Sequence, residues 1–143
     1  MAEQSAPPKT PYGPPISLAQ AKRVMEAAEA EAMDHQWGMA IAVVDSGGHL
    51  VMLQRLENAQ LSASRIAEVK ARTAVEFRRP TKVFQDVIGG GGIGLRVLTF
   101  GVNGAEGGVP IIYDGKIIGG IGVSGATSDQ DGQVASAGAQ ALA

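Results

Sequence analysis

Strands that come in runs, turn dipeptides between those runs, and a sharp change of texture near the middle of the chain together predict an α+β domain. The expected architecture is an antiparallel five-stranded sheet with flanking helices, in the order α-β-β-α-α-β-β-β-α. The change of texture is plain in the glycines. Gly13, Gly38, Gly47 and Gly48 precede position 89, and the other sixteen fall in the last 55 positions. Charge runs the other way, with 20 of the 26 charged residues before position 89. The second half is therefore bare backbone and aliphatic side chains, too apolar for a flexible linker, and it reads as sheet.

Residues 1–15, ending at Pro14-Pro15, carry five prolines and no apolar block, and are expected to form a flexible N-terminal arm ahead of a single domain over 16–143. From Ser17 the pattern turns helical. Ser17 and Gln20 stand in the capping-box relation, Leu18, Ala21, Met25, Ala28 and Ala32 recur on one face, and Gly38 stops the helix after His35. Met39 to Val44 reads as a strand, Asp45-Ser46-Gly47-Gly48 as a turn, and His49 to Leu56 as the antiparallel partner.

A second helix runs from Ser62 or Ser64 to Phe77. Arg65, Glu68, Arg72 and Glu76 form its charged stripe, with Ile66, Thr73, Ala74 and Phe77 on the other side. Lys70 falls among the apolar residues, so its ammonium is expected to point inward. Arg78-Arg79-Pro80-Thr81 breaks the helix, and Thr81 is placed to cap a short one through Val87. Beyond Gly89 to Gly92, strands are expected at Leu95–Val102, Val109–Tyr113 and Lys116–Val123, with Asp114-Gly115 as the turn between the last two. Ser128 and Asp131 then stand in capping-box relation before a closing helix.

Composition excludes several functions. Lys and Arg number 12 and Asp and Glu 14, with no long run of one sign, so neither nucleic acid nor a membrane surface is an expected partner. No stretch approaches the ~20 continuous apolar residues of a bilayer span. Cysteine is absent, which removes disulfides and thiolate chemistry, and two histidines are too few for a His-rich cage; no metal-site residues are assigned, and any metal would have to be held by oxygens or arrive inside a cofactor. The start lacks the basic and apolar regions of a secretory leader, and the expected location is cytoplasmic. Gly89, Gly91 and Gly94 match G-x-G-x-x-G, but the run follows a helix and opens a strand, the reverse of a dinucleotide fingerprint.

The chemistry centres on Lys70, because an ammonium on an apolar face must find partners or lose its charge. Three readings stay open: a snorkelling lysine, a buried pair with Asp45 or Glu57, or an anchor for a carboxylate ligand. In the last, Arg55 and Thr73 would add donors, while Glu106, Gly107, Gly108 and Gly120 would supply a bare surface. Helix or subunit packing accounts for the same glycines. An enzyme of another class, a lyase or isomerase acting on a small organic or aromatic acid, would use Lys70 to orient the acid and Asp45, Glu106 or Asp131 as general base.

Four blocks carry a resemblance. Ala42-Val43-Val44-Asp45-Ser46-Gly47-Gly48, Lys70-Ala71-Arg72-Thr73-Ala74, Gly107-Gly108-Val109-Pro110, and Gly119-Gly120-Ile121-Gly122-Val123-Ser124-Gly125-Ala126 with Asp131 resemble, in order and spacing, the GlcG/HbpS family. That family includes the C-terminal domain of PduO-type proteins. The resemblance covers residues 16 to 143 and implies a profilin-like domain assembled as a homo-oligomer, from dimer to octamer. It further implies binding of heme or a related carboxylate-bearing small molecule, which makes heme the expected cofactor. His35 and His49 are then the conventional candidates for the heme iron besides methionine, although a helix end and a strand start explain each without iron. A purely structural assembly subunit, without ligand and with a glycine-lined interface, is the remaining alternative.

Overall fold

In the computed structural model, which describes residues 10–143, everything is arranged around β1 (Ala40–Asp45). Its side chains alternate, Ile41 and Val43 entering one core and Ala40, Ala42 and Val44 the other. With apolar layers on both sides, β1 carries no polar residue before Asp45. β2 (Leu50–Arg55), β3 (Gly108–Tyr113) and β4 (Lys116–Ser124) complete an antiparallel sheet in the order β2-β1-β4-β3.

Helices cover both faces. α1 (Leu18–Asp34) and the closing helix pack on the Ile41 side, and α2 (Ala63–Phe77) packs on the Ala42 side. The Ala42 side is built from small residues so that backbones approach closely. Ala63, Ala67 and Ala71 of α2 meet Ala40, Ala42 and Val44. A Cβ on Gly120 would fall 2.6 Å from Val75 Cγ2, and one on Gly122 would overlap the Ala67 carbonyl oxygen. Gly120 and Gly122 of β4 therefore face α2, where helix packing fills the space a ligand was expected to take, while Gly119 lies against Ile16 and the Val44 carbonyl.

The sheet has four strands, not the expected five. Leu95–Val102 pairs with no strand among the described residues; after α3 (Lys82–Gly89) the chain enters a 3-10 run at Gly92–Phe100. The cause is local. Gly91 and Gly92 take φ of 66° and 59°, a left-handed turn that folds the chain back onto α3 before any strand starts. Gly94 N then donates to Gly91 O at 3.2 Å.

Smaller departures have equally simple reasons. On α1 it is Val24 that completes the buried face, while Leu18 in the first turn is 54% exposed. Ser62 makes no side-chain cap on α2. Thr81 does not cap α3: its hydroxyl accepts from Gly108 N at 2.9 Å and its own N–H donates to Gly108 O at 3.0 Å. This two-bond clasp ties the start of α3 to the start of β3. The capping box of α4 (Ser128–Ala139) is formed by Thr127 and Gln130, not by Ser128 and Asp131. Of the expected arm, residues 1–9 lie outside the described residues. Pro11 and Gly13 hydrogen-bond along Ile117 at 2.8 Å, and the Tyr12 hydroxyl donates to Val75 O at 2.7 Å.

Candidate functional site

Helical periodicity puts Lys70 on the same side of α2 as Ala63, Ala67, Ala71 and Ala74, and it is only 2% exposed. Its Nζ donates to Val123 O at 2.9 Å, Glu106 O at 3.0 Å and Asp131 Oδ2 at 3.0 Å. An ammonium has three donors, and all three are used. The partner is Asp131, not Asp45 or Glu57. Asp131 is itself buried, and its other carboxylate oxygen accepts from Ala126 N at 3.0 Å. Burial pushes its carboxyl above the ordinary 3.8, with the Lys70 ammonium and the Ala126 and Gly125 N–H groups acting in the opposite direction. The result is a knot joining α2, the loop before β3, the end of β4 and the start of α4. A carboxylate ligand would have to displace one of these protein acceptors. Thr73 is similarly engaged, donating to Val69 O at 2.8 Å and accepting from Asn103 N at 3.1 Å.

Glu106, Gly107 and Gly108 line a cleft of about 220 Å³ beside this knot, with Pro80, Lys82, Val109, Gly132 and Ser136. Gln85 Oε1 accepts from Glu106 N at 2.7 Å, and the Glu106 side chain lies against Gly132, where a Cβ would displace it. Ligand pockets run from about 300 to 1,000 Å³, so the cleft is below the usual size. The other expected residues stand elsewhere. Arg55 is exposed at the end of the edge strand β2 and makes no hydrogen bond to the knot. Asp45 accepts from Gly47 N at 2.9 Å and His49 N at 3.0 Å, so it holds its own turn. Asp45, Arg55, His35 and His49 are thus not brought to Lys70.

The two histidines are also far from one another. His35 caps the end of α1, stacked on Trp37 with ring centroids 4.3 Å apart and 3.3 Å from Glu31 Oε2. His49 lies past the opposite end of β1, a strand of six residues spanning about 20 Å at ~3.3 Å per residue. They cannot grip one iron together. Among the described residues no group of three or more His, Cys, Asp or Glu could hold a metal ion, and no helix is long and apolar enough to cross a membrane.

A second cavity was not foreseen. α2 ends at Arg78, whose left-handed backbone (φ 54°) turns the chain sharply, and Pro80 starts it toward α3. Phe77 and Phe84 then meet edge to face, with centroids 5.2 Å apart at 81°. The 3-10 run folds back over α3 and leaves an open groove of about 350 Å³. Its walls are Phe77, Val83, Phe84, Val87, Ile93, Gly94, Val97 and Phe100, with Arg79 and Arg96 the only charged residues among the described ones. Arg79 is posed in place: Nε donates to Phe77 O at 2.9 Å and the guanidinium carbon sits 5.8 Å from the Phe84 centroid. Ile93 is 81% exposed, and Leu98 and Phe100 are more than half exposed. The strand assignment over Leu95–Val102 hid this groove. The available signal was Arg96 within an apolar run directly after Gly89 to Gly92.

Comparison with known proteins gives a consistent picture. The family model described as "Haem degrading protein HbpS-like" matches residues 16–140. The chain is 41% identical over 109 residues to the protein GlcG of Escherichia coli, covering 76% of this chain and 81% of that one. A crystal structure of a double mutant of Streptomyces reticuli HbpS superposes with a TM-score of 0.81 at 29% identity, covering 97% of this chain and 99% of that one. The structure of a PduOC:heme complex does so with a TM-score of 0.80 at 30% identity, covering 90% and 95%.

Proposed function

The chain belongs to the HbpS-like family, and from that premise we propose that it binds a flat, apolar, carboxylate-bearing small molecule of the heme class in the groove between α3 and the 3-10 run. One observation carries the reading: large apolar side chains exposed around a groove whose only charges among the described residues are two guanidiniums. Exposed apolar surface of this kind marks a binding site. Guanidiniums at its rim pair with carboxylates in bidentate fashion. The groove volume equals that of about a dozen waters at ~30 Å³ each, so a tetrapyrrole would lie with part of its ring outside.

The fit to heme has two parts. The ring and its carboxylates suit the groove, with Phe77, Phe84 and Phe100 as apolar faces and Arg79 and Arg96 as carboxylate partners. The iron does not find a ligand there: no His, Met or Tyr is among the described residues lining the groove. Bound heme would bring its porphyrin iron, and this chain's contribution is to shield one ring face from water and hold the carboxylates.

The test is a titration with hemin. A saturable Soret shift at low micromolar concentration is expected, weakened by Arg79→Ala with Arg96→Ala. No saturable shift would remove the heme reading. We extend the proposal to the homo-oligomer that the family resemblance implies, to be read by light scattering. The lyase or isomerase alternative has no observation in its favour: Lys70 and Asp131 are engaged with one another and Asp45 with its turn.

A further inference from the structure

We infer that the groove recognises a tetrapyrrole by its ring and its carboxylates and places no side chain on the metal, so that the metal-free ring binds as well as the iron-bearing one. This rests on the proposed function and narrows it. The donor set is the reason. Among the described residues the only polar side chains lining the groove are Arg79 and Arg96, and a guanidinium stays protonated and offers no lone pair to a metal.

The described side chains able to ligate iron lie outside the groove lining. His35 is stacked on Trp37 and paired with Glu31, and His49 sits at the β1–β2 turn. The Tyr12 hydroxyl donates to Val75 O at 2.7 Å under the Arg78 guanidinium, while Tyr113 is exposed at the β3–β4 turn, opposite Lys116 in the backbone register. Met25 and Met39 are buried in the core on the far side of the sheet from α2, Met52 of β2 packs against that core, and Met33 is exposed near the end of α1. What remains at the groove is apolar surface, complementary to a π-system, and two cations complementary to two carboxylates. Arg79 is already held on Phe84, so little freedom is lost when it meets an anion.

The experiment titrates the full chain with hemin, with protoporphyrin IX and with protoporphyrin IX dimethyl ester, and repeats the hemin titration on His35→Ala with His49→Ala. Hemin and protoporphyrin IX are expected to bind within about threefold of each other. The diester is expected to bind at least tenfold more weakly, and the histidine variant should leave both hemin affinity and Soret position unchanged. Protoporphyrin IX binding more than tenfold more weakly than hemin, or a Soret shift in the histidine variant, would overturn the inference and leave the proposed function standing. A diester that binds as well as the diacid would overturn the carboxylate part. If neither hemin nor protoporphyrin IX binds, the proposed function falls and takes this inference with it.

Discussion

Lys70 and Arg79 stand nine residues apart on one stretch of chain and are used in opposite ways. Lys70 is buried, and every donor it has is spent on Val123, Glu106 and Asp131. Arg79 lies past the end of α2 on the wall of an open apolar groove, its Nε on Phe77 O and its guanidinium against Phe84. A cation inside the protein is tolerated only when its bonds are complete, which leaves nothing for a visitor. A cation at the rim of apolar surface keeps water on one side and retains capacity for a partner. An inward lysine in a sequence is therefore better evidence of architecture than of a binding site.

The difference can be broken experimentally, starting from the packed side. Gly122→Ala would drive a methyl into the Ala67 carbonyl and to within 2.5 Å of Ala71 N. A loss of more than about 4 kcal/mol is expected, or no folded protein, by urea titration. Lys70→Met leaves Asp131 buried without its cation and is expected to cost about 3–5 kcal/mol. Adding Asp131→Leu should recover part of that loss, because both charges are then gone. In the fraction that remains folded, hemin affinity should stay within about twofold of the parent; a tenfold drop would make the knot part of the binding site after all.

On the groove side the pattern inverts. Arg79→Ala and Arg96→Ala are each expected to weaken porphyrin binding about tenfold, ~1.4 kcal/mol, by fluorescence titration. Their urea midpoints should move by no more than the equivalent of about 0.5 kcal/mol.

The smallest effect is in pH. Burial raises the Asp131 carboxyl in the folded chain above its ordinary 3.8, so the folded state holds that proton more firmly than the unfolded one. Its contribution is full below pH 3.8 and declines as pH rises through the raised value. Asp131→Asn should flatten that decline in urea midpoints measured upward from pH 3.8. An unchanged slope would show that another group dominates.

Most of the fold was legible because period and turn chemistry agree over long stretches. α1, the β1–β2 hairpin, α2 and the β3–β4 hairpin were expected close to where they lie, since each pairs an apolar rhythm with a Gly or Asp turn. The fifth strand failed where the rhythm was absent. Leu95 to Val102 is apolar without alternation, and a short apolar run does not distinguish strand from helix. The decision came from the left-handed turn at Gly91 and Gly92. At the knot, the inward direction of Lys70 follows from the helical period alone, but its partner does not. Asp131 read as a cap residue, and only the packing of α4 against the sheet brings it to Lys70 across 61 positions of sequence. The groove was illegible for the same reason: its walls come from both sides of a chain reversal.

The clasp between Thr81 and Gly108 has one more consequence. Because both of its bonds involve backbone N–H groups, one at each end, it gives a clock for the region in hydrogen–deuterium exchange. These two amides should exchange on the schedule of the whole sheet, whereas those of Gly89 and Gly92, exposed residues at the end of α3 and the start of the 3-10 run, should exchange far sooner. The outer wall of the groove would then breathe while the floor stays still, letting a large flat guest enter without loosening the domain.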